Sequence, residues 1–107
     1  MNITLINSSM KRQTLTYKKD GIASLEDMKS DIRQKMSNVE IAYLYKINES
    51  TKVIYDWNNT ENKMTMTRTW NDEDYDDYIT NWSDLKTFTV ARLKDNGYEV
   101  TETIEDI

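Results

Sequence analysis

The sequence contains no cysteine, no histidine and no proline, and it has only two glycines. Without cysteine there can be no disulfide bond, thiolate zinc site or cysteine nucleophile. The absence of histidine removes the commonest general base and the commonest metal ligand. Gly21 and Gly97 stand apart, so there is no glycine-rich phosphate-binding loop. An enzyme is therefore not expected, since a site would have to use paired carboxylates or a Lys or Tyr base.

Long apolar runs are absent as well. No segment approaches the ~20 residues that a transmembrane helix needs, and residues 1–10 lack the basic start and apolar centre of a signal peptide. The length of 107 residues predicts a single domain, residues 1–107. We expect a cytoplasmic protein of a bacterial host, with no membrane partner.

Charge is distributed unevenly along the chain. The first 69 residues carry 11 Lys and Arg against 8 Asp and Glu, whereas residues 70–107 carry 3 against 11. The segment Trp70–Asp84, WNDEDYDDYITNWSD, holds six acidic residues and no Lys or Arg. We expect this segment to bind a partner. The many Asn, Lys and Ile residues are typical of low-GC bacteria and their phages.

The apolar periodicity predicts an α+β fold. Two short strands are expected at residues 2–6 and 13–17, joined by a hairpin loop. Ser24 is a candidate N-cap for a helix over residues 24–36, because apolar residues follow it at spacings of three and four. A three-stranded meander at 39–47, 53–57 and 64–70 and a last strand at 98–104 complete the prediction. The result is an antiparallel sheet of about five to six strands, with two helices packed mainly on one face.

The second helix is expected over about residues 72–95, between the N-cap candidate Asn71 and the stop signal Asn96–Gly97. At ~100° per residue most aromatic residues of this segment share a core-facing side. The other side carries the acidic residues Glu73, Asp77, Asp84 and Asp95. Phe88 falls beside that acidic side, where burial does not explain it. A break at Ser83, a good N-cap, would turn Phe88 inward, but a continuous helix is favoured.

The acidic cluster at residues 72–77 has two structural interpretations. Carboxylates in a first helical turn interact favourably with the helix dipole, each by ~0.3–1 kcal/mol. One or two would serve this purpose, and the cluster has five. The alternation of Asp72, Asp74 and Asp76 is similar to the start of an EF-hand loop, but the sixth and twelfth positions are Asp77 and Ser83 instead of Gly and Glu. No metal and no cofactor are expected.

The third interpretation is functional. Duplex DNA carries one charge per ~1.7 Å of axis, and a helix rises ~1.5 Å per residue, so the cluster reaches a comparable charge density. Small acidic inhibitors of CRISPR nucleases and other phage-encoded counter-defence proteins are similar in size, charge and composition, although no motif is shared. This resemblance implies an inhibitor encoded by a phage or mobile element.

We therefore expect a non-enzymatic, anti-CRISPR-like inhibitor that binds the basic groove of a host nucleic-acid-binding protein or nuclease as a partial nucleic-acid mimic. The expected contact residues are Asp72, Glu73, Asp74, Asp76, Asp77, Asp84 and Phe88. An immunity or antitoxin-like protein that blocks a cognate toxin, or an accessory protein-binding module, remains an alternative. Direct nucleic-acid binding is not expected, because the basic pairs Lys11–Arg12 and Lys18–Lys19 are few beside the acidic segment. The oligomeric state is left open.

Overall fold

The computed structural model describes residues 10–107, which form four strands and three helices. The elements in chain order are β1 (Met10–Lys18), α1 (Leu25–Gln34), α2 (Asn38–Ser50), β2 (Lys52–Asn58), β3 (Lys63–Asn71), α3 (Asp72–Asp95) and β4 (Glu99–Asp106). The strand order is β2-β3-β1-β4, and all neighbours are antiparallel. The predicted α+β class with one antiparallel sheet is confirmed. Within the described range, the sheet has four strands instead of five to six, and there are three helices instead of two.

The largest correction concerns residues 39–47, which were predicted as a strand and belong to helix α2. Their apolar residues alternate as in a strand, yet Tyr43 and Ile47 also share one side of a helix, so the pattern alone is ambiguous. The residues before this segment decide that it forms a helix. Ser37 is the N-cap, and its Oγ accepts the backbone N–H of Glu40 at 3.2 Å. The Ser-x-x-Glu spacing of a capping box was the signal that the strand prediction overlooked.

β1 also differs from the prediction. It begins at Met10, inside the expected hairpin loop, and the strand predicted at 2–6 lies outside the described residues. β1 occupies a central position between β3 and β4, with Leu15 opposite both Met66 and Glu102. Only the hairpin of β2 and β3 remains from the predicted meander. β1 therefore pairs with strands that are distant in sequence.

α3 is one uninterrupted helix, as the favoured alternative predicted. Asn71 caps it by accepting the backbone N–H of Asp74 at 2.8 Å. Ser83 lies within the helix without breaking it. The helix stops where predicted, and Gly97 then adopts a φ of +88°, in the left-handed region that glycine tolerates best.

The helices cover one face of the sheet and leave the other open. Two groups of buried side chains fill the space between the layers: Met28, Ile32, Met64, Leu93 and Tyr98 in one, and Ile47, Trp70, Tyr78 and Trp82 in the other. Tyr43 stacks on Trp82, with ring centroids 5.1 Å apart, and so joins α2 to α3. The open face carries threonines that are half-buried or exposed: Thr14, Thr16, Thr65, Thr67, Thr69, Thr101 and Thr103. The polar side chains of this face are typical of a sheet that is wet on one side.

Candidate functional site

The predicted contact residues lie together on the solvent side of α3. Glu73, Asp77, Asp84 and Phe88 follow one another at spacings of four and seven, which places them in a line along the helix. All four are exposed, and so are Asp74 and Asp76 beside the line. Together with Asp72 these residues are called the α3 acidic surface below. The line from Glu73 to Phe88 extends over about 22 Å at the rise of a helix.

Asp72 differs from the other members of this surface. It is half-buried, and its Oδ1 lies 3.7 Å from Nζ of Lys11 on β1. Lys11 also pairs with Asp106 on β4. Asp72 thus connects the start of α3 to the sheet, and part of its charge is neutralised within the chain.

The remaining carboxylates of the surface are not used to hold the fold together. Within residues 10–107, none of Glu73, Asp74, Asp76, Asp77 and Asp84 forms an ion pair with a Lys or Arg side chain. The ion pairs of the described chain use other acids: Glu26, Asp31, Glu40, Glu61, Asp72, Glu102, Glu105 and Asp106. Asp77 accepts a hydrogen bond from Asn81, one turn further along α3, at 2.8 Å. Their negative charge therefore faces water without a counter-charge from the described residues.

Phe88 is 62% exposed at the far end of this line. One exposed apolar side chain is ordinary on a protein surface. This ring, however, lies one turn after Asp84 on the same side of the helix, so an apolar group and carboxylates share one surface. Ile79, also on α3, is 37% exposed as well.

The arrangement of these acids does not suit a metal ion. At about 100° per residue the side chain of Asp74 points about 200° away from those of Asp72 and Asp76, so the three carboxylates do not converge on one point. Within residues 10–107 no three acidic side chains form a group that could hold a metal ion. The similarity to an EF-hand loop is therefore confined to the sequence.

A buried carboxylate, which sequence reasoning assigned to a strand, joins α2 to α3. Glu40 is 2% exposed and accepts hydrogen bonds from Ser37, Thr89 and Arg92. Burial is the largest influence on Glu40 and opposes its ionisation, but the three hydrogen bonds and the charge of Arg92 together outweigh it and lower its pKa. Glu40 therefore serves the fold, in contrast to the exposed acids of α3.

A buried cation lies on the helix-facing side of β3. Arg68 is 1% exposed, and burial lowers its pKa. Its Nη1 donates to Oε1 of Gln13 at 2.7 Å and its Nη2 donates to Oδ1 of Asn48 at 3.0 Å, whereas its Nε has no acceptor. Among residues 10–107 no carboxylate forms an ion pair with this guanidinium. Nε2 of Gln13 donates a further hydrogen bond to Glu102, so Arg68 is connected to a carboxylate only through Gln13.

The sequence prediction gave Arg68 no role. Its burial was nevertheless predictable from its register. Arg68 follows Met64 and Met66 at steps of two and so lies on the side of the strand that faces the core. Arg68 also lines a cavity of about 130 Å³ between the sheet and the helices. A charged residue in such a position requires an explanation, because an unpaired buried charge is costly.

The described part of the chain, residues 10–107, contains no helix that is both long and apolar enough to cross a membrane. Comparison with protein-family descriptions finds no match, and comparison with curated proteins finds none either. A crystal structure of a dimeric ferredoxin-like protein from an uncultured marine organism is similar, with a TM-score of 0.54 and 8% sequence identity. The match covers 92% of this chain and 95% of that chain. At this identity the likeness shows the fold alone, which is a ferredoxin-like α+β fold.

Proposed function

We propose that this protein is a non-enzymatic inhibitor, encoded by a phage or mobile element, that binds the basic nucleic-acid-binding surface of a host protein. The observation that carries the proposal is the combination, on one side of α3, of an exposed aromatic ring and exposed carboxylates that form no ion pair within residues 10–107. The fold itself supports no particular activity, since one fold hosts many functions.

The spacing of the charges supports partial mimicry of a nucleic-acid backbone. The carboxylates of residues 73–77 follow one another along an axis with a rise of about 1.5 Å per residue, close to the ~1.7 Å per charge of duplex DNA. Lys and Arg side chains that bind phosphates also bind carboxylates through charge-assisted hydrogen bonds. A groove that binds DNA would therefore accept the α3 acidic surface.

Charge and apolar contact would have separate roles in this complex. Exposed charges mainly accelerate association and make it sensitive to salt. Most of the binding free energy in interfaces comes from a few well-packed anchors, among which aromatic residues are common. Phe88 is the candidate anchor, because its ring is exposed beside Asp84.

The test is capture of a partner from a lysate of a low-GC bacterium at ~50 mM and ~500 mM salt, a range over which surface charges become screened. Captured proteins are identified and then challenged with duplex DNA and RNA. Capture of a nucleic-acid enzyme that DNA or RNA displaces would support the proposal. A partner that resists salt and is indifferent to nucleic acid would favour the immunity-protein alternative. Capture of no partner at either salt concentration would count against both.

A charge-matched pair of variants makes this test specific. Asp74→Asn, Asp76→Asn and Asp77→Asn together remove three charges from the surface. The control removes three exposed charges elsewhere, by Asp20→Asn, Glu49→Gln and Asp56→Asn. Only the first variant should lose the partner, and both should retain the stability of the wild type within about 1 kcal/mol. Equal loss of the partner in both variants would show that net charge, and not this surface, governs binding.

Phe88→Ser tests the anchor separately. The ring is exposed, so its removal should change the free energy of unfolding by no more than about 0.5 kcal/mol, while dissociation of the partner becomes faster. The molar mass of every variant is measured first by light scattering, because the structurally similar protein is described as dimeric. An altered oligomeric state would change capture independently of the surface.

A further inference from the structure

We propose that the cavity beside Arg68 binds a small organic anion, namely an aromatic or short aliphatic carboxylate. The cavity has a volume of about 130 Å³ and lies between the sheet and the helices. An apolar cavity of about 150 Å³ can hold one benzene molecule, so this space suits a single ring or a chain of a few carbons. None of the residues of the α3 acidic surface lines the cavity, so this site and the proposed inhibitor surface are independent.

The charges around the cavity have one sign. Among residues 10–107, four cationic residues and no acidic residue line it; the cations are Lys29, Arg33, Arg68 and Lys86. Lys29 is paired with Glu26 and Lys86 with Glu102, whereas Arg33 and Arg68 form no ion pair within this range. The whole chain carries a net charge of −5, so a positively charged cavity lining is opposite in sign to the chain as a whole. A concave site with low-dielectric walls and charges of one sign concentrates ions of the opposite sign. The site therefore favours an anionic ligand.

Arg68 supplies the specific contact. Its guanidinium keeps its charge under all ordinary conditions, yet its direct oxygen partners are the neutral amides of Gln13 and Asn48. Its Nε–H is buried without an acceptor. Glu102 is reached only through Gln13, and it already accepts a hydrogen bond from Lys86. A ligand carboxylate bound against the part of the cavity wall that Arg68 forms would supply the missing negative charge beside this guanidinium.

The apolar residues of the lining favour an anion whose remaining part is apolar. Met64, Met66 and Leu93 line the cavity and are buried, and methionine side chains adapt readily to the shape of a ligand. Arg33 and Tyr45 also line it but are exposed, so access from solvent lies between α1 and α2. An inorganic anion would leave the apolar walls unused. A compact carboxylate uses both the charge and the walls.

The experiment titrates the full chain, labelled with ¹³C at its methionine methyl groups, with benzoate and with its neutral isostere benzamide. Benzoate should shift the signals of Met36, Met64 and Met66 saturably, because these residues line the cavity. Met10, at the start of β1, does not line it and serves as the internal reference. We expect benzoate to bind about tenfold or more tightly than benzamide, as a hydrogen-bonded charge pair implies. A second titration compares hexanoate with its neutral counterpart hexanol, in which a flexible alkyl chain replaces the ring.

A matched pair of variants tests the role of Arg68. Arg68→Leu should abolish the preference for the acid over the amide, whereas Arg12→Leu, the same change on the open face of the sheet, should retain it. Leucine adds no labelled methyl group. Equal affinity for acid and neutral isostere in the wild type, saturable shifts at Met10 alone, or no saturable shift with either acid would overturn the proposal. These wild-type outcomes decide the question even if Arg68→Leu fails to fold.

Discussion

Nη1 of Arg92 on α3 lies 2.7 and 3.0 Å from the two carboxylate oxygens of Glu40 on α2. The two partners differ in exposure, since Glu40 is buried and Arg92 is half-exposed. The contact joins two helices that both pack on the sheet, so it fixes the position of α2. Removal of this contact should therefore lower the free energy of unfolding, and the size of the decrease should depend on which partner is replaced.

Arg92→Met should lower the free energy of unfolding by about 2–4 kcal/mol, because it leaves a buried carboxylate without its cation. Glu40→Gln should cost less, about 1–2 kcal/mol, since the remaining guanidinium reaches water. Urea denaturation at neutral pH measures both values. Lys94→Met, an exposed cation in the last turn of the same helix, is the control and should change stability by less than about 0.5 kcal/mol. Equal losses for the first two variants would contradict the asymmetry.

Acid should destabilise the protein through Asp31 and Glu40. Hydrogen bonds from Lys35 and then Tyr98 lower the pKa of Asp31, and Glu40 also has a lowered pKa. A carboxyl whose pKa is lower in the folded state contributes stability above its ordinary pKa of about 4, and this contribution is lost as the pH falls through the lowered value. Urea unfolding from pH 7 down to pH 3 should show a decline that is shallower in Asp31→Asn. An unchanged slope in that variant would remove Asp31 from the explanation.

Alkali should destabilise the protein through its buried tyrosines. Burial raises the pKa of Tyr17 to about 12, and burial is also the main cause of the raised pKa of Tyr78 and of Tyr98. A tyrosine with a raised folded pKa contributes stability below its ordinary value of about 10, and this contribution is lost as the pH rises through the raised value. Tyrosinate absorbance and unfolding, followed together from pH 9 to pH 12, should show late titration of these residues. Tyr17→Phe should reduce the decline, and an identical alkaline profile would contradict this assignment.

Gly97 and Gly21 should each resist substitution because of their backbone conformation. Their φ values are +88° and +86°, and a Cβ at either position meets no atom closer than ordinary van der Waals contact. Alanine at either position should therefore cost about 1–2 kcal/mol from the left-handed conformation alone. Two similar losses, measured by thermal unfolding, would support this explanation. A large loss at Gly97 alone would point to contact with Lys19 instead.

Some features were predictable because their causes are local. The caps at Ser24 and Asn71 and the helix stop at Asn96–Gly97 depend on residues within a few positions of one another. The same is true of the β2–β3 hairpin, whose turn residues lie between two alternating runs. The exposure of Phe88 follows from its angle on α3 once the helix is known to be continuous.

The strand predicted at residues 39–47 was wrong, although the cause of the helix α2 in its place is also local. The apolar residues of this segment fit periods of both 2 and 3.6, whereas the capping residues Ser37 and Glu40 indicate a helix alone. Glu40 lies within this segment, and in the helix its carboxylate is buried against Thr89 and Arg92.

The sequence by itself determined the α+β class and the amphipathic helix α3 with its acidic side, because each depends on the periodicity of neighbouring residues. Only the tertiary structure decided that β1 lies between β3 and β4, and that Arg68 borders a cavity and forms no ion pair with a carboxylate of residues 10–107. Contacts such as Gln13 with Arg68 join residues 55 positions apart. No local pattern specifies such a pair, since it forms only when the packing of helices on the sheet brings both side chains together.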